Sequence, residues 1–132
     1  MQQEDKELLI KDLSARLPYE VKFPMMTFDG VIKPYTLYSM SKDGKCYVSE
    51  GGYYPYIEVI KPYLFPLSSM TEEQEKELED ILIELNLKAI SDEIGSEVVA
   101  SYEIDFYNKN HFDYRELIKK GLAIDATELN IY

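Results

Sequence analysis

The chain has 132 residues, 45% of them apolar and 30% charged, with six Gly, six Pro, one Cys and no Trp. This is the composition of one folded domain over residues 1–132 that needs no structural metal, and the lone Cys46 excludes an internal disulfide framework or a multi-cysteine metal centre. Fourteen basic against 25 acidic side chains leave a formal charge of −11, which opposes direct binding to nucleic-acid phosphates or anionic lipid.

The opening residues, Met1 to Asp5, lack the basic start and apolar run of an export signal, and no apolar stretch reaches membrane-spanning length, so a cytoplasmic location is expected. The charge is uneven. Residues 67–95 hold nine acidic and two basic groups, whereas residues 19–66 hold five of each.

In chain order, a helix is predicted from about Glu4 to Arg16. Leu9, Ile10, Leu13 and Leu17 recur at helical spacing, and Pro18 disfavours helical geometry at Leu17. Residues 19–66 hold five of the six prolines and eight of the twelve tyrosines, and read as β structure. Val21, Phe23 and Met25 alternate, Val31 to Met40 is rich in β-branched and aromatic residues, and Asp43-Gly44 marks a hairpin leading into Cys46, Tyr47 and Val48. Gly51-Gly52 predicts a further turn, followed by a strand near Tyr56 to Ile60. Pro24, Pro34 and Pro55 remove ladder donors, which places their strands at edges or bulges.

Thr71 followed by Gln74 matches a capping box, so a helix starts there with Glu72 and Glu73 near its positive end. Leu78, Ile81, Leu82 and Leu85 form its expected buried stripe. Ile83 and Leu87 lie four apart on a different face, so the helix either packs on two sides, with a loop or the C-terminal tail covering them as the expected case, or exposes a small apolar strip. The alternation of Val98, Ala100, Tyr102, Ile104 and Phe106 predicts a half-buried strand. Asp113 with Glu116 predicts a short capped helix ending at Gly121, and the tail from Leu122 to Tyr132 is apolar enough to dock.

Chemistry-bearing residues are sparse. His111 is the single histidine, so any imidazole acid, base or metal ligand must be this residue. Around it, Asp113 reads as a cap and Arg115 as a solvated side chain. Cys46 would need a neighbouring base to act as a nucleophile, and a small buried strand cysteine is the expected state. The acidic run of the central helix lacks the spacing of a calcium loop and reads as a solvated face, with mimicry of a nucleic-acid backbone as the functional alternative. Tyr53, Tyr54, Tyr56, Tyr63 and Phe65 gather around a Gly and Pro turn; such a cluster serves either as bulky core or as interface.

Several blocks carry a family resemblance: Leu8-Leu9-Ile10-Lys11-Asp12-Leu13 with Ala15-Arg16-Leu17-Pro18-Tyr19, Ile60-Lys61-Pro62-Tyr63-Leu64-Phe65-Pro66 running into Ser68-Ser69-Met70-Thr71-Glu72-Glu73, His111-Phe112-Asp113-Tyr114-Arg115, and Gly121-Leu122-Ala123-Ile124. The chain resembles short uncharacterised proteins encoded by gut anaerobic bacteria and their prophages or mobile elements. The resemblance implies a genomic setting and no mechanism.

The resulting expectation is an α+β fold, an antiparallel sheet of about four or five strands with the N-terminal helix and the acidic central helix packed on it. The expected function is that of a small acidic, non-enzymatic interaction protein without a cofactor or metal. Its contact surface is expected at Tyr53, Tyr54, Tyr56, Tyr63 and Phe65 together with Glu73, Glu77 and Asp80, facing a protein partner. The alternatives are an anti-defence protein acting by charge mimicry and a small enzyme using His111 with Asp113, Arg115 or Cys46.

Overall fold

A computed structural model describes residues 1–48 and 55–132. The first helix, α1 (Gln3–Arg16), buries Leu9 and Leu13 one turn apart, as the apolar stripe predicts, and the same face buries Asp12 and Arg16. Beyond Arg16 the chain makes a single 3-10 turn, Leu17–Tyr19, with Pro18 inside it, and Glu20 reverses its direction in the left-handed region.

Strands β1 (Lys22–Met26), β2 (Ile32–Met40) and β3 (Cys46–Val48) form an antiparallel sheet in that order. Pro24 faces Pro34 across it, and β3 joins β2 only from Leu37 onward, beside a bulge between Leu37 and Ser39. Pro34 therefore costs no bond to β3, because β2 has none to offer there. The Asp43-Gly44 hairpin closes as expected: Ser41 N–H donates to the Lys45 carbonyl at 2.8 Å, and Gly44 takes φ +87°. A side chain at Gly44 would place its Cβ 2.8 Å from Cγ2 of Ile57, so both the turn and the packing call for glycine.

The expected turn at Gly51-Gly52 lies outside the described residues. The expected strand near Tyr56 to Ile60 is instead a 3-10 turn, Ile57–Val59, with one bridge from Tyr56 to Lys45. Ile57 and Ile60, three residues apart, both enter the core while Glu58 and Val59 stay out, a period of three that a strand cannot provide.

The chain then forms β4 (Tyr63–Pro66), a 3-10 turn at Leu67–Ser69, and the helices α2 (Glu72–Ile90) and α3 (Ser96–Lys109). It returns as β5 (Phe112–Asp113) and β6 (Ile124–Asp125), which lie parallel to β4 on either side of it. The α+β class holds, but the single antiparallel sheet of four or five strands does not: the described residues form two three-stranded sheets, the second parallel. A helical excursion between β4 and β5 allows this, because parallel strands need a long crossover.

At α2 the capping box is present as predicted: Gln74 N–H donates to the Thr71 hydroxyl at 3.1 Å, and Thr71 N–H donates to the Gln74 side chain at 3.0 Å. The strand expected from Val98 to Phe106 is helix α3. Its alternation hides a helical stripe, Val99, Tyr102 and Phe106, and this is the face drawn inward. No regular helix follows Asp113. Its carboxylate accepts from Leu117 N–H and Ile118 N–H, both at 2.9 Å, but Glu116 takes φ +60°, which breaks helical continuity.

Two apolar clusters result. The larger gathers Leu9, Leu13, Phe23, Leu37, Ile57, Leu64 and Leu117 between α1, the first sheet and the C-terminal tail. The smaller contains Leu78, Phe106 and Phe112, with Phe65, Met70 and Tyr107 against them. Here α2 packs chiefly on α3 rather than on a sheet, which corrects the expected docking of the acidic helix. No helix among the described residues is long and apolar enough to cross a membrane.

Candidate functional site

The polar groups around His111 are drawn into the architecture. Arg16 and Asp12, four apart on α1, are both fully buried: Arg16 Nε donates to Asp12 Oδ2 at 2.7 Å, and Arg16 Nη2 donates to the Phe112 carbonyl at 2.7 Å. That pair ties α1 to β5. Arg115 also turns inward, its Nε 3.2 Å from Asp12 Oδ1 and its guanidinium over the Tyr114 ring, which corrects its expected solvation. Tyr114 in turn donates to Asn108 Oδ1 at 3.0 Å.

His111 occupies the left-handed region at φ +62° and stacks on Tyr132, ring centres 3.6 Å apart and 13° from parallel. The Tyr132 hydroxyl accepts from Lys22 N–H at 2.8 Å and donates to the Tyr63 carbonyl at 2.9 Å, so the tail is pinned to both sheets. Burial, followed by the nearby positive charges of Arg16 and Lys22, pulls the imidazole down to about 4. His111 is therefore neutral near pH 7, and its buried Nδ1 has no hydrogen-bond partner among the described residues.

Cys46 is fully buried in the larger core, its Sγ 3.6 Å from the Gly44 carbonyl, and burial pushes the thiol up to about 11. A nucleophile needs the opposite shift. Among the described residues, no group of three or more His, Cys, Asp or Glu is placed to hold a metal ion.

The tyrosine cluster does not form one exposed patch. Tyr53 and Tyr54 lie outside the described residues. Tyr63 is buried on β4, and Phe65 is half-buried between Phe112 and Tyr132 at ring distances of 6.4 and 5.9 Å. Tyr56 alone of the described three is exposed, at 58%. Tyr63 and Phe65 act as core because they are on the central strand of the parallel sheet, a placement their local sequence does not encode.

The helical hairpin formed by α2 and α3 is the opposite case. Glu73, Glu77 and Asp80 are exposed on α2, as expected of an acidic face. Within the expected buried stripe only Leu78 is buried, and Ile81, Leu82 and Leu85 are half-buried. Ile83, Leu87 and Ile90 are 53%, 63% and 80% exposed, and among the described residues no loop or tail covers Ile83 and Leu87, contrary to expectation. From residue 79 through residue 105 no side chain is fully buried.

A groove of about 300 Å³ runs along this hairpin, floored by Leu78, Leu82 and Ile83 and walled by Met70 and by Tyr107 of α3. Glu75 and Glu79 stand at its rim. Tyr107 is held there by donating to Glu103 at 2.7 Å, and burial, reinforced by that carboxylate, pushes its hydroxyl up to about 12. Twelve of the 25 acidic side chains but only three of the 14 basic ones lie between Glu72 and Lys109, so the hairpin carries −9 of the net −11. Sequence reading missed Ile90, Met70 and Tyr107 as parts of this surface. The i, i+4, i+7 spacing of Ile83, Leu87 and Ile90 is the signal that finds Ile90, while Met70 and Tyr107 join it only through the packing of α2 against α3.

Comparison with protein-family models, with curated proteins and with solved structures finds no match.

Proposed function

We propose that this chain is a small acidic, non-enzymatic accessory protein that acts by docking a protein partner on the α2–α3 hairpin, and that it serves a phage or mobile element. One observation carries the docking site: an apolar strip, Ile83, Leu87 and Ile90, lies uncovered on a helical hairpin that has no fully buried side chain between residues 79 and 105. Two helices so thinly packed gain little from burial, and a third layer is what such a face lacks. The genomic setting is supported only by the sequence blocks quoted above.

The hairpin replaces the tyrosine cluster as the principal contact surface, because Tyr63 and Phe65 are occupied inside the protein. Glu73, Glu77 and Asp80 remain part of the proposed surface. Charge mimicry is the second reading, supported by the concentration of −9 on this one element. The enzymatic alternative draws no support from the geometry: His111 is stacked and neutral, and the Cys46 thiol is buried.

The test is affinity capture from lysate of the native host, with the unaltered chain and a Leu87→Lys/Ile90→Lys variant as parallel baits at low and high salt. A stoichiometric protein that the variant loses at both salt concentrations supports docking on the apolar strip. A partner that both baits hold equally and that salt removes overturns this reading in favour of mimicry. Failure of both baits to hold any protein overturns the interaction reading altogether.

A further inference from the structure

We propose that the occupant of the α2–α3 face is a basic amphipathic helix presented by another protein. This rests on the reading of the hairpin as a docking surface and names the chemistry that fits it.

The shape selects a helix. Glu75, Leu78, Leu82 and Asn86 recur at three- and four-residue steps along α2, so the groove follows one helical face, and Ile83 at its edge joins it to the neighbouring exposed strip, on which Leu87 and Ile90 continue to the end of α2. From Glu75 to Ile90 the helix is about 22 Å long, the length of a four-turn helix. The surface is built on α2 and α3, whose backbone groups bond within each helix, so an incoming strand would find no edge to pair with. Side-chain ridges of a third helix have a groove to enter.

The charge selects its sign. Asp80 and Glu84 border the exposed strip on one side, and Glu75 and Glu79 border it on the other. Helix α2 has two lysines, and one of them, Lys88, is 3.6 Å from Glu84. A second copy of this chain would set −9 against −9 across one interface, and an anionic bilayer would be repelled in the same way. A helix with Leu-like anchors at i, i+4 and i+7 and Lys or Arg on the flanks satisfies both the apolar floor and the carboxylate rim. Tyr107, fixed by its bond to Glu103, supplies a rigid aromatic wall for the first anchor.

The experiment uses the full chain and three labelled synthetic peptides of about 18 residues, about five helical turns, read by fluorescence anisotropy. The first is a Leu/Lys amphipathic helix, the second the same composition shuffled to abolish the apolar face, and the third the amphipathic pattern with Glu for every Lys. The amphipathic Lys peptide is expected to bind and gain helicity by circular dichroism. The shuffled peptide is expected to bind at least ~10-fold more weakly, a difference of about 1.4 kcal/mol, and the Glu peptide not to bind measurably. Ile83→Lys/Leu87→Lys is expected to weaken the first peptide at least ~10-fold, while Glu79→Lys/Glu84→Lys is expected to flatten its salt dependence.

Equal binding of the shuffled and amphipathic peptides overturns the proposal, since charge alone then accounts for it. So does sedimentation showing a dimer that Leu87→Lys dissociates, which would make the occupant a second copy. A lysate partner lost with Leu87→Lys, together with failure of the amphipathic peptide, overturns the basic helix and leaves the docking reading standing. Because the peptide bypasses any native partner, the two failures are distinguishable.

Discussion

Two regions of this protein treat charge and apolar surface in opposite ways. Where α1 meets the tail, Asp12 and Arg16 are wholly inside and bonded to each other, with Arg16 also bonded to the Phe112 carbonyl and Arg115 beside Asp12. On the α2–α3 hairpin the carboxylates are outside and the apolar side chains beside them are uncovered. The first arrangement makes sense only as architecture, since a buried ion pair costs desolvation and is tolerated where it joins elements in one register. The second leaves apolar surface in water, which stability alone does not select.

The contrast breaks most sharply at the ion pair. Asp12→Ala strands a buried guanidinium and is expected to cost about 3–5 kcal/mol in denaturant unfolding, whereas Asp12→Leu/Arg16→Met, which removes both charges, is expected to recover most of that loss. If the double variant is no better than the single one, the pair does more than hold α1 to β5.

A smaller effect is expected at His111. Its folded value is depressed to about 4 by burial and by the charges of Arg16 and Lys22, so the unfolded chain takes up a proton that the folded chain refuses. The stabilisation is therefore present above the ordinary histidine value and is lost as pH falls toward 4, by about 1–2 kcal/mol after allowance for solvent screening. His111→Asn keeps a residue tolerant of the left-handed backbone and is expected to remove this component from the pH dependence of unfolding. An unchanged profile would mean that the stack on Tyr132 does not keep the imidazole neutral.

The smallest effect on stability is expected where the largest effect on binding is. Leu87→Lys, on the uncovered strip, is expected to shift unfolding by no more than about 0.5 kcal/mol while abolishing capture of the partner. A large loss of stability would show that Leu87 is packed in solution and would remove the basis for a docking face.

Sequence reading succeeded where structure is local. The N-terminal helix, the Asp43-Gly44 hairpin and the Thr71–Gln74 capping box depend on neighbours a few residues away, and each forms as read. It failed where a pattern serves two periods. Val98 to Phe106 alternates like a strand, yet it also contains Val99, Tyr102 and Phe106 at helical spacing, and the neighbouring α2 decides between them by offering a helical surface. At Tyr63 and Phe65 it left core and interface both open, and the choice for packing inside comes from β5 and β6, drawn from residues 112–125, on either side of β4. Glu73, Glu77 and Asp80 were legible as a solvated face because a stretch this dense in carboxylates has no other stable place. The uncovering of Ile83 and Leu87 was not, since a strip of apolar residues reads the same whether or not another segment reaches it.

By itself, then, the sequence determined the α+β class, the starts of α1 and α2, the tight hairpin and the concentration of negative charge on one element, because propensity, turn chemistry and charge are properties of short stretches. The tertiary structure decided the pairing of β4 with two distant strands, the burial of Asp12 and Arg16 with Arg115 turned toward them, and the exposed apolar face of the hairpin. Each of these depends on which remote segments reach a surface and which do not, a long-range outcome of packing that no local pattern encodes.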